Sequence, residues 1–289
     1  MKKISLRKIF SFKWFLIVAL VFFVLFIYSK LGPNNWSVVV MVDKPQIENG
    51  WSDPKGVGIN TSQWENGAFI SGDGHTLFYA YYPGDLINDL SIGKLKDDID
   101  VYYSEKPFNG GKKHALSEDK WSEGGVMMSG GDIYYMSNRN RLETDDLYKN
   151  GQIIFDTLNK SEQDPHYCAT KDELYFDAEG IIYVYKKNKS TALPSPINDG
   201  SRNIQPFLTP DCEQIYFASS RGDGVSKILR SNRILEDSWG EPELIVKSKY
   251  GVGEPTLTDN GKTMFFVQIF KSAKEVMNSD IFYVEKTAK

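Results

Sequence analysis

Residues 205–221 read QPFLTPDCEQIYFASSR, and their pattern decides the architecture: a short apolar strand, a Thr-Pro-Asp turn, then consecutive aromatics closing on Ser-Ser-Arg. The same plan occurs four more times, as GAFISGDGHTLFYAYY from Gly67, GVMMSGGDIYYMSNR from Gly125, DPHYCATKDELYFDA from Asp164 and EPTLTDNGKTMFFV from Glu254. Taking the first aromatic of the second strand as a marker gives Phe78, Tyr134, Tyr175, Tyr216 and Phe265, separated by 56, 41, 41 and 49 residues. Units of roughly 40–50 residues hold four short strands and their turns, the size of a propeller blade, and lack the helical periodicity of ankyrin or tetratricopeptide arrays.

Asp73-Gly74, Gly130-Gly131 and Asn260-Gly261 join paired strands with residues that tolerate positive φ, which closes tight hairpins. A third strand follows as DVYY from Asp100, DLY from Asp146, IIYVY from Ile181 and DIFYV from Asp280, and a fourth as EPELIV from Glu241. The strand aromatics, among them Tyr134, Tyr175, Tyr216 and Phe265, are expected between blades as core rather than as sugar-stacking platforms.

The run Thr209-Pro210-Asp211 followed by Ile215-Tyr216-Phe217-Ala218-Ser219-Ser220-Arg221 resembles the Ser-Pro-Asp-Gly…Ile-Tyr-Phe-x-Ser-x-Arg repeat of TolB-like β-propellers, and Ser137-Asn138-Arg139 repeats its ending. The resemblance covers roughly Gly67 to Val284 and is weakest in the third unit. It implies an all-β propeller and protein partners in an envelope assembly; a repeat of this kind specifies fold better than function. Five blades are favoured, with six, the common number in TolB-like proteins, as the alternative. A propeller must join its ends or leave a free edge. The run Gly50-Trp51-Ser52-Asp53-Pro54-Lys55-Gly56-Val57 resembles Ser238-Trp239-Gly240-Glu241-Pro242 and is expected to give the fifth blade its outer strand. Residues 37–42 then form one strand too many.

Ahead of the repeats, residues 14–28 read WFLIVALVFFVLFIY without a charge, a run that a helix would extend to roughly 22 Å. Lys13 and Lys30 bracket it, and Lys2, Lys3, Arg7, Lys8 and Lys13 precede it, so the positive-inside bias places the N-terminus in the cytoplasm. The expected organisation is a cytoplasmic tail over 1–13, a single transmembrane helix over 14–30, a linker and first strand over 31–49, and a propeller over 50–289 outside the membrane, periplasmic or extracellular. A cleaved signal peptide is the alternative and would export the same domain, but Ser29-Lys30-Leu31-Gly32-Pro33 offers no clean small-x-small cleavage site. Residues 1–30 hold six of the 34 basic residues and none of the 38 acidic ones, which leaves the exported part near −10 and argues against nucleic acid as a partner.

Gly67, Gly125, Asp164, Gln205 and Glu254 open the inner strands and should face one another in a ring near one mouth of the channel, with His166 on the same side two residues beyond Asp164. As a ligand site, Asp164 and Glu254 would accept from hydroxyls or hold a cation, Gln205 would bond both ways, and His166 would carry a proton. The same carboxylates could equally be scaffold that hydrogen-bonds neighbouring backbone. Arg139 and Arg221 could grip an anion, though pairing with an acidic turn residue of a neighbouring blade is the preferred reading. Cys168 and Cys212, the only cysteines, sit near the first hairpins of adjacent units and could form a disulfide in an oxidising compartment. No metal-binding, phosphate-binding or nucleophile-elbow motif occurs, and no cofactor or metal is expected. The sequence therefore points to a membrane-anchored binding or scaffolding module, with a propeller glycoside hydrolase or glycan-binding protein built on the central carboxylate pair as the alternative.

Overall fold

The computed structural model describes residues 43–93, 95, 98–141, 143–155, 160–271 and 277–287. The apolar segment at 14–30 and the extra strand expected at 37–42 lie outside them. Among the described residues no helix is long and apolar enough to cross a membrane.

The five repeats form five antiparallel blades of the expected pattern, the last and first joined into one continuous sheet. Blade 1 contains Trp64–Ile70, Thr76–Tyr82, Asp100–Glu105 and Lys112–Lys113, and blade 2 contains Glu123–Ser129, Asp132–Arg141, Thr144–Lys149 and Gln152–Ile153. Blade 3 is Glu162–Cys168, Glu173–Ala178, Ile181–Lys186 and Lys189–Ala192; blade 4 is Asn203–Leu208, Gln214–Ser219, Lys227–Leu235 and Glu243–Lys247. Blade 5 takes Val252–Leu257, Thr263–Lys271 and Met277–Glu285 from the end of the chain and Lys55–Gly56 from its beginning. Alternation places one set of side chains of each strand against the next blade, and the aromatic second strands fill those seams: Phe78, Tyr134, Leu174 and Phe176 share one apolar cluster, Phe217 and Tyr175 a second, and Phe266 and Tyr216 a third.

Closure is non-covalent. Lys55 and Gly56 pair with Tyr283 and Phe282, and Trp51 bridges Lys286, so residues 50–57 take the outer-strand role expected of them. Buried Asn60 then locks the joint: its Nδ2 donates to the Ile281 carbonyl at 2.8 Å and its Oδ1 accepts from the Ile281 N–H at 3.0 Å. Ser279 Oγ donates to the Glu65 carbonyl at 2.8 Å and pairs in parallel with Trp64, joining blade 5 to blade 1. The chain reaches this point along the outside of blade 4, where Gln46–Ile47 adds a strand beside Glu243–Lys247.

The disc has two unlike faces. At the entry face, where inner strands begin, lie the loops that follow the second strands, including a six-residue helix, Leu86–Ser91, capped by the Asp85 side chain. At the exit face lie the tight first hairpins and the tip of the long hairpin of blade 4 around Ile234 and Leu235.

Candidate functional site at the propeller axis

Each inner strand breaks its register once, at the same place. The shifts fall between Asn66 and Phe69, Gly124 and Met127, Gln163 and His166, Ile204 and Phe207, and Gly253 and Thr256. Every bulge holds a residue in the left-handed region: Gly67 at φ 61°, Gly125 at 54°, Asp164 at 50°, Gln205 at 58° and Glu254 at 53°. These are the five residues expected to ring the axis, and three successive residues from each inner strand, starting with them, line one central cavity.

Holding Asp, Gln and Glu at positive φ costs on the order of 1–3 kcal/mol each, so their side chains must return something. What Gln205 and Glu254 return is contact between blades, while Asp164 bonds Asp177 of its own blade. Glu254 Oε2 accepts from the N–H of Gly67, in blade 1, and from Ala68 N–H at 3.3 Å. Its Oε1 accepts from Gln205 Nε2 at 3.1 Å, while Gln205 Oε1 accepts from the Glu254 N–H at 3.1 Å. The Gln205 N–H donates at 2.8 Å to Asp177 Oδ1, and the Asp177 and Asp164 carboxyls hydrogen-bond one another. Glycine is required at 125 twice over, because φ is positive and a Cβ there would lie 3.0 Å from Asp164 Oδ1 and 3.2 Å from its backbone.

The electrostatics follow from burial. Desolvation, reinforced by the charge of Asp164, pushes Glu254 up to about 8. Asp164 is raised to about 6 by burial and by Asp145, and Asp177 is raised well above the usual carboxylate range by burial and by Asp164, so Asp177 holds the proton and donates to Asp164. His166 does line the cavity, but the bulge at Asp164 turns it into the wall: Nε2 donates to the Leu208 carbonyl at 3.1 Å and the ring meets Phe207 edge-on. Burial draws its pKa down to about 4, and with Nε2 engaged by the Leu208 carbonyl the ring serves the wall rather than the proton-carrying role expected of it.

The cavity itself measures about 40 Å³, room for about two or three waters, whereas small-ligand pockets run to roughly 300–1,000 Å³. Among the described residues, no three His, Cys, Asp or Glu are grouped to hold a metal ion.

Arg139 and Arg221 stand away from the axis and do the same work in blades 2 and 4. Arg139 Nε donates to Ser137 Oγ at 3.1 Å, and its NH2 reaches Glu123 Oε1 at 2.9 Å and the Leu116 carbonyl at 3.2 Å. Arg221 repeats this with Ser219 Oγ at 2.9 Å, Asn203 Oδ1 at 3.0 Å and the Ile197 carbonyl at 2.7 Å. The acidic partners expected from a neighbouring blade are Glu118 and Asp199, on the connections arriving from the blade before, which also supply the Leu116 and Ile197 carbonyls; the remaining partners are in the same blade, because the Ser-x-Arg ending folds back on the start of its own inner strand. Cys168 and Cys212 are bonded, with Cα atoms 6.0 Å apart, joining the inner strand of blade 3 to the first turn of blade 4.

Sequence reasoning passed over Asp177, Asp145 and the buried row Glu65, Glu123, Glu162 and Asn203. Asp177 carried a readable signal. Two positions past the marker aromatics the repeats have Ala80, Met136, Asp177, Ala218 and Val267, so one carboxylate interrupts an otherwise apolar register.

No protein-family model matches the chain, and no curated protein matches it. Among solved structures it is similar to a family-43 β-xylosidase/α-arabinofuranosidase from a compost microbial metagenome, with 12% identity over 82% of this chain and 96% of that one and a TM-score of 0.51. It is also similar to a protein assigned as TolB from Agrobacterium tumefaciens, 15% identical over 85% and 92% of the two chains with a TM-score of 0.47. TolB from Acinetobacter baumannii is 14% identical over 77% and 68%, with a TM-score of 0.41. At these identities the likeness concerns the fold, an all-β propeller.

Proposed function

We propose that this chain is a membrane-anchored, extracytoplasmic scaffold: a TolB-like propeller tethered by residues 14–28 that binds a protein of the cell envelope through its outer surface. The observation that carries the reading is the state of the axis. Its carboxylates hold neighbouring blades together and enclose room for only a few waters, so recognition falls to the faces. The exit face offers Ile234 and Leu235, 64% and 71% exposed, the most exposed large aliphatics among the described residues. They flank a shallow pocket with Lys171, Glu173, Glu213 and Arg233, an apolar tip beside paired charges that suits a protein partner. The disulfide agrees with an oxidising compartment, and the acidic balance of the exported part agrees with a protein rather than a nucleic acid.

The test is in-membrane crosslinking of the full-length protein, comparing the wild type with Ile234→Ser/Leu235→Ser and with Glu254→Gln. The scaffold reading expects one partner to crosslink to wild type and Glu254→Gln alike and to be lost from the surface variant. Release of sugar from xylan or arabinan by the wild type, abolished in Glu254→Gln while its near-ultraviolet dichroism stays native, would overturn the reading in favour of a hydrolase.

A further inference from the structure

We infer that the entry face of the disc rests on the bilayer through Ile87, Leu90 and Ile92, so that the propeller is docked on the membrane rather than swinging from its tether. The inference rests on the tether reading above and adds an orientation to it. The occupant proposed for this apolar patch is the lipid surface in which residues 14–28 are embedded.

Four observations converge on it. The described chain enters at this face: the Asp43 carbonyl accepts from Gln268 Nε2 at 2.7 Å, and Asp43 Oδ2 accepts from the Lys249 N–H at 2.6 Å. Gln268 pairs with Val252, the first residue of the inner strand of blade 5, which fixes the end of the sheet concerned. Second, the helix Leu86–Ser91 follows Tyr82, which pairs with Trp64 at the start of the inner strand of blade 1, so it stands on the same face. Third, helix and entry point are neighbours. Leu86 packs with Trp64 and Tyr82 in a cluster that takes in Ile269 and Met277, the continuation of the Gln268 strand and its partner. Tyr82 Oη donates to buried Asp89 at 2.7 Å, holding the helix with Leu86 and Asp89 inward.

Fourth, that inward pair leaves Ile87, Leu90 and Ile92 facing out, 42%, 56% and 62% exposed, within six residues of one another. A short amphipathic element of this kind lowers its free energy by burying the aliphatic groups at the headgroup boundary. The tether keeps it within reach. Residues 29–42 number fourteen, spanning at most about 50 Å if fully extended and roughly 20 Å as a flexible coil. A patch emerging beside the end of so short a leash meets the bilayer at high effective concentration, so even weak insertion is favoured.

The experiment compares two exposed leucines on opposite faces. Full-length protein carrying Leu90→Cys or Leu235→Cys is spin-labelled without reductant, which leaves the Cys168–Cys212 bond intact, and is reconstituted in lipid nanodiscs. Collisions with oxygen and with a water-soluble nickel chelate are then measured. The expected result is a several-fold higher oxygen-to-nickel ratio at position 90 than at 235, falling to the 235 value when Ile87→Ser and Ile92→Ser are added. Equal, water-like ratios at both positions in protein that resists alkaline carbonate extraction would overturn the docked orientation and leave the tether standing. Extraction by carbonate would overturn the tether itself.

Discussion

Blades 1 and 2 place the same residue at the same buried point and treat its charge differently. Glu65 and Glu123 each lie two residues before the bulge glycine, fully shielded from solvent. In blade 2 the arginine that ends the aromatic strand folds back on Glu123, and its guanidinium opposes the rise in pKa that burial imposes. Blade 1 ends that strand on Tyr81-Tyr82, so Glu65 has only Thr61, whose N–H and hydroxyl both donate to it; burial wins and its pKa rises to about 7. Blade 4 removes the problem by using Asn203 in place of a glutamate, and keeps Arg221. Four of the five blades thus carry a polar hook under the entry loop, which ties the start of the inner strand to its surroundings, while blade 5 has the buried Val252 in its place; how the hook is neutralised is a local solution.

Removing a partner from a buried charge is the harshest way to break the comparison. Arg139→Met leaves the fully buried Glu123 without its cation, and the expected cost is about 3–5 kcal/mol. Denaturant unfolding followed by tyrosine fluorescence would measure it. Adding Glu123→Gln should restore most of the loss, because an amide needs no counter-charge; if the double variant is as unstable as the single one, the guanidinium matters for packing over Tyr135 and Tyr148 and the electrostatic account fails.

How far the residues alone reveal this can be traced through the same positions. The Ser-x-Arg endings are visible because they recur at fixed distance from the marker aromatics, but their partners are not, since the fold-back depends on where the preceding blade's connection arrives. The five axial residues are legible as a ring because each opens an inner strand, and the closing strand at residues 50–57 is legible because it repeats a Trp-led motif of blade 4. The left-handed bulges escape sequence reading: glycine at 67 and 125 hints at them, whereas Gln205 and Glu254 adopt positive φ with side-chain partners across a blade boundary and Asp164 with Asp177 of its own blade. His166 lines the cavity with Asp164, but the bulge between them and the bond to the Leu208 carbonyl set its ring into the wall, which strict alternation could not foretell. Glu65 and Glu123 look like polar linker residues until the register buries them.

A gentler probe is pH, which acts on blade 1 and on the axis. Glu65 and Glu254 have folded pKa values above their unfolded ones, near 7 and 8, so the folded state binds the extra protons. Their stabilising contribution is fully present below about 4.5 and is lost as pH rises through about 7 for Glu65 and about 8 for Glu254. Unfolding midpoints should therefore fall between pH 5 and pH 8.5. At about 1.4 kcal/mol per unit of pKa, Glu65→Gln should flatten the curve by roughly 3 kcal/mol between pH 5 and 7, and Glu254→Gln by roughly 4 kcal/mol between pH 5 and 8. A variant curve parallel to the wild type's would show that the carboxyl in question titrates normally in the folded protein.

The smallest effect is expected where the hook carries no charge. Arg221→Met removes hydrogen bonds to Asn203, Ser219 and the Ile197 carbonyl and the 3.4 Å pairing with Asp199, yet leaves behind an amide, a hydroxyl that still donates to Asn203 Oδ1 at 2.7 Å, a carbonyl, and a partly exposed carboxylate that keeps the Ser201 N–H and Asn203 Nδ2 as donors. None of these is a fully buried ion, so the loss should be about 1–2 kcal/mol, well below that of Arg139→Met. Replacing Asn203 with Asp then makes blade 4 imitate blade 2: the pairing with Arg221 should gain charge, and the same Arg221→Met substitution in that background should become as damaging as Arg139→Met. If the arginine's value is unchanged by Asn203→Asp, the difference between the blades lies in how their entry loops pack.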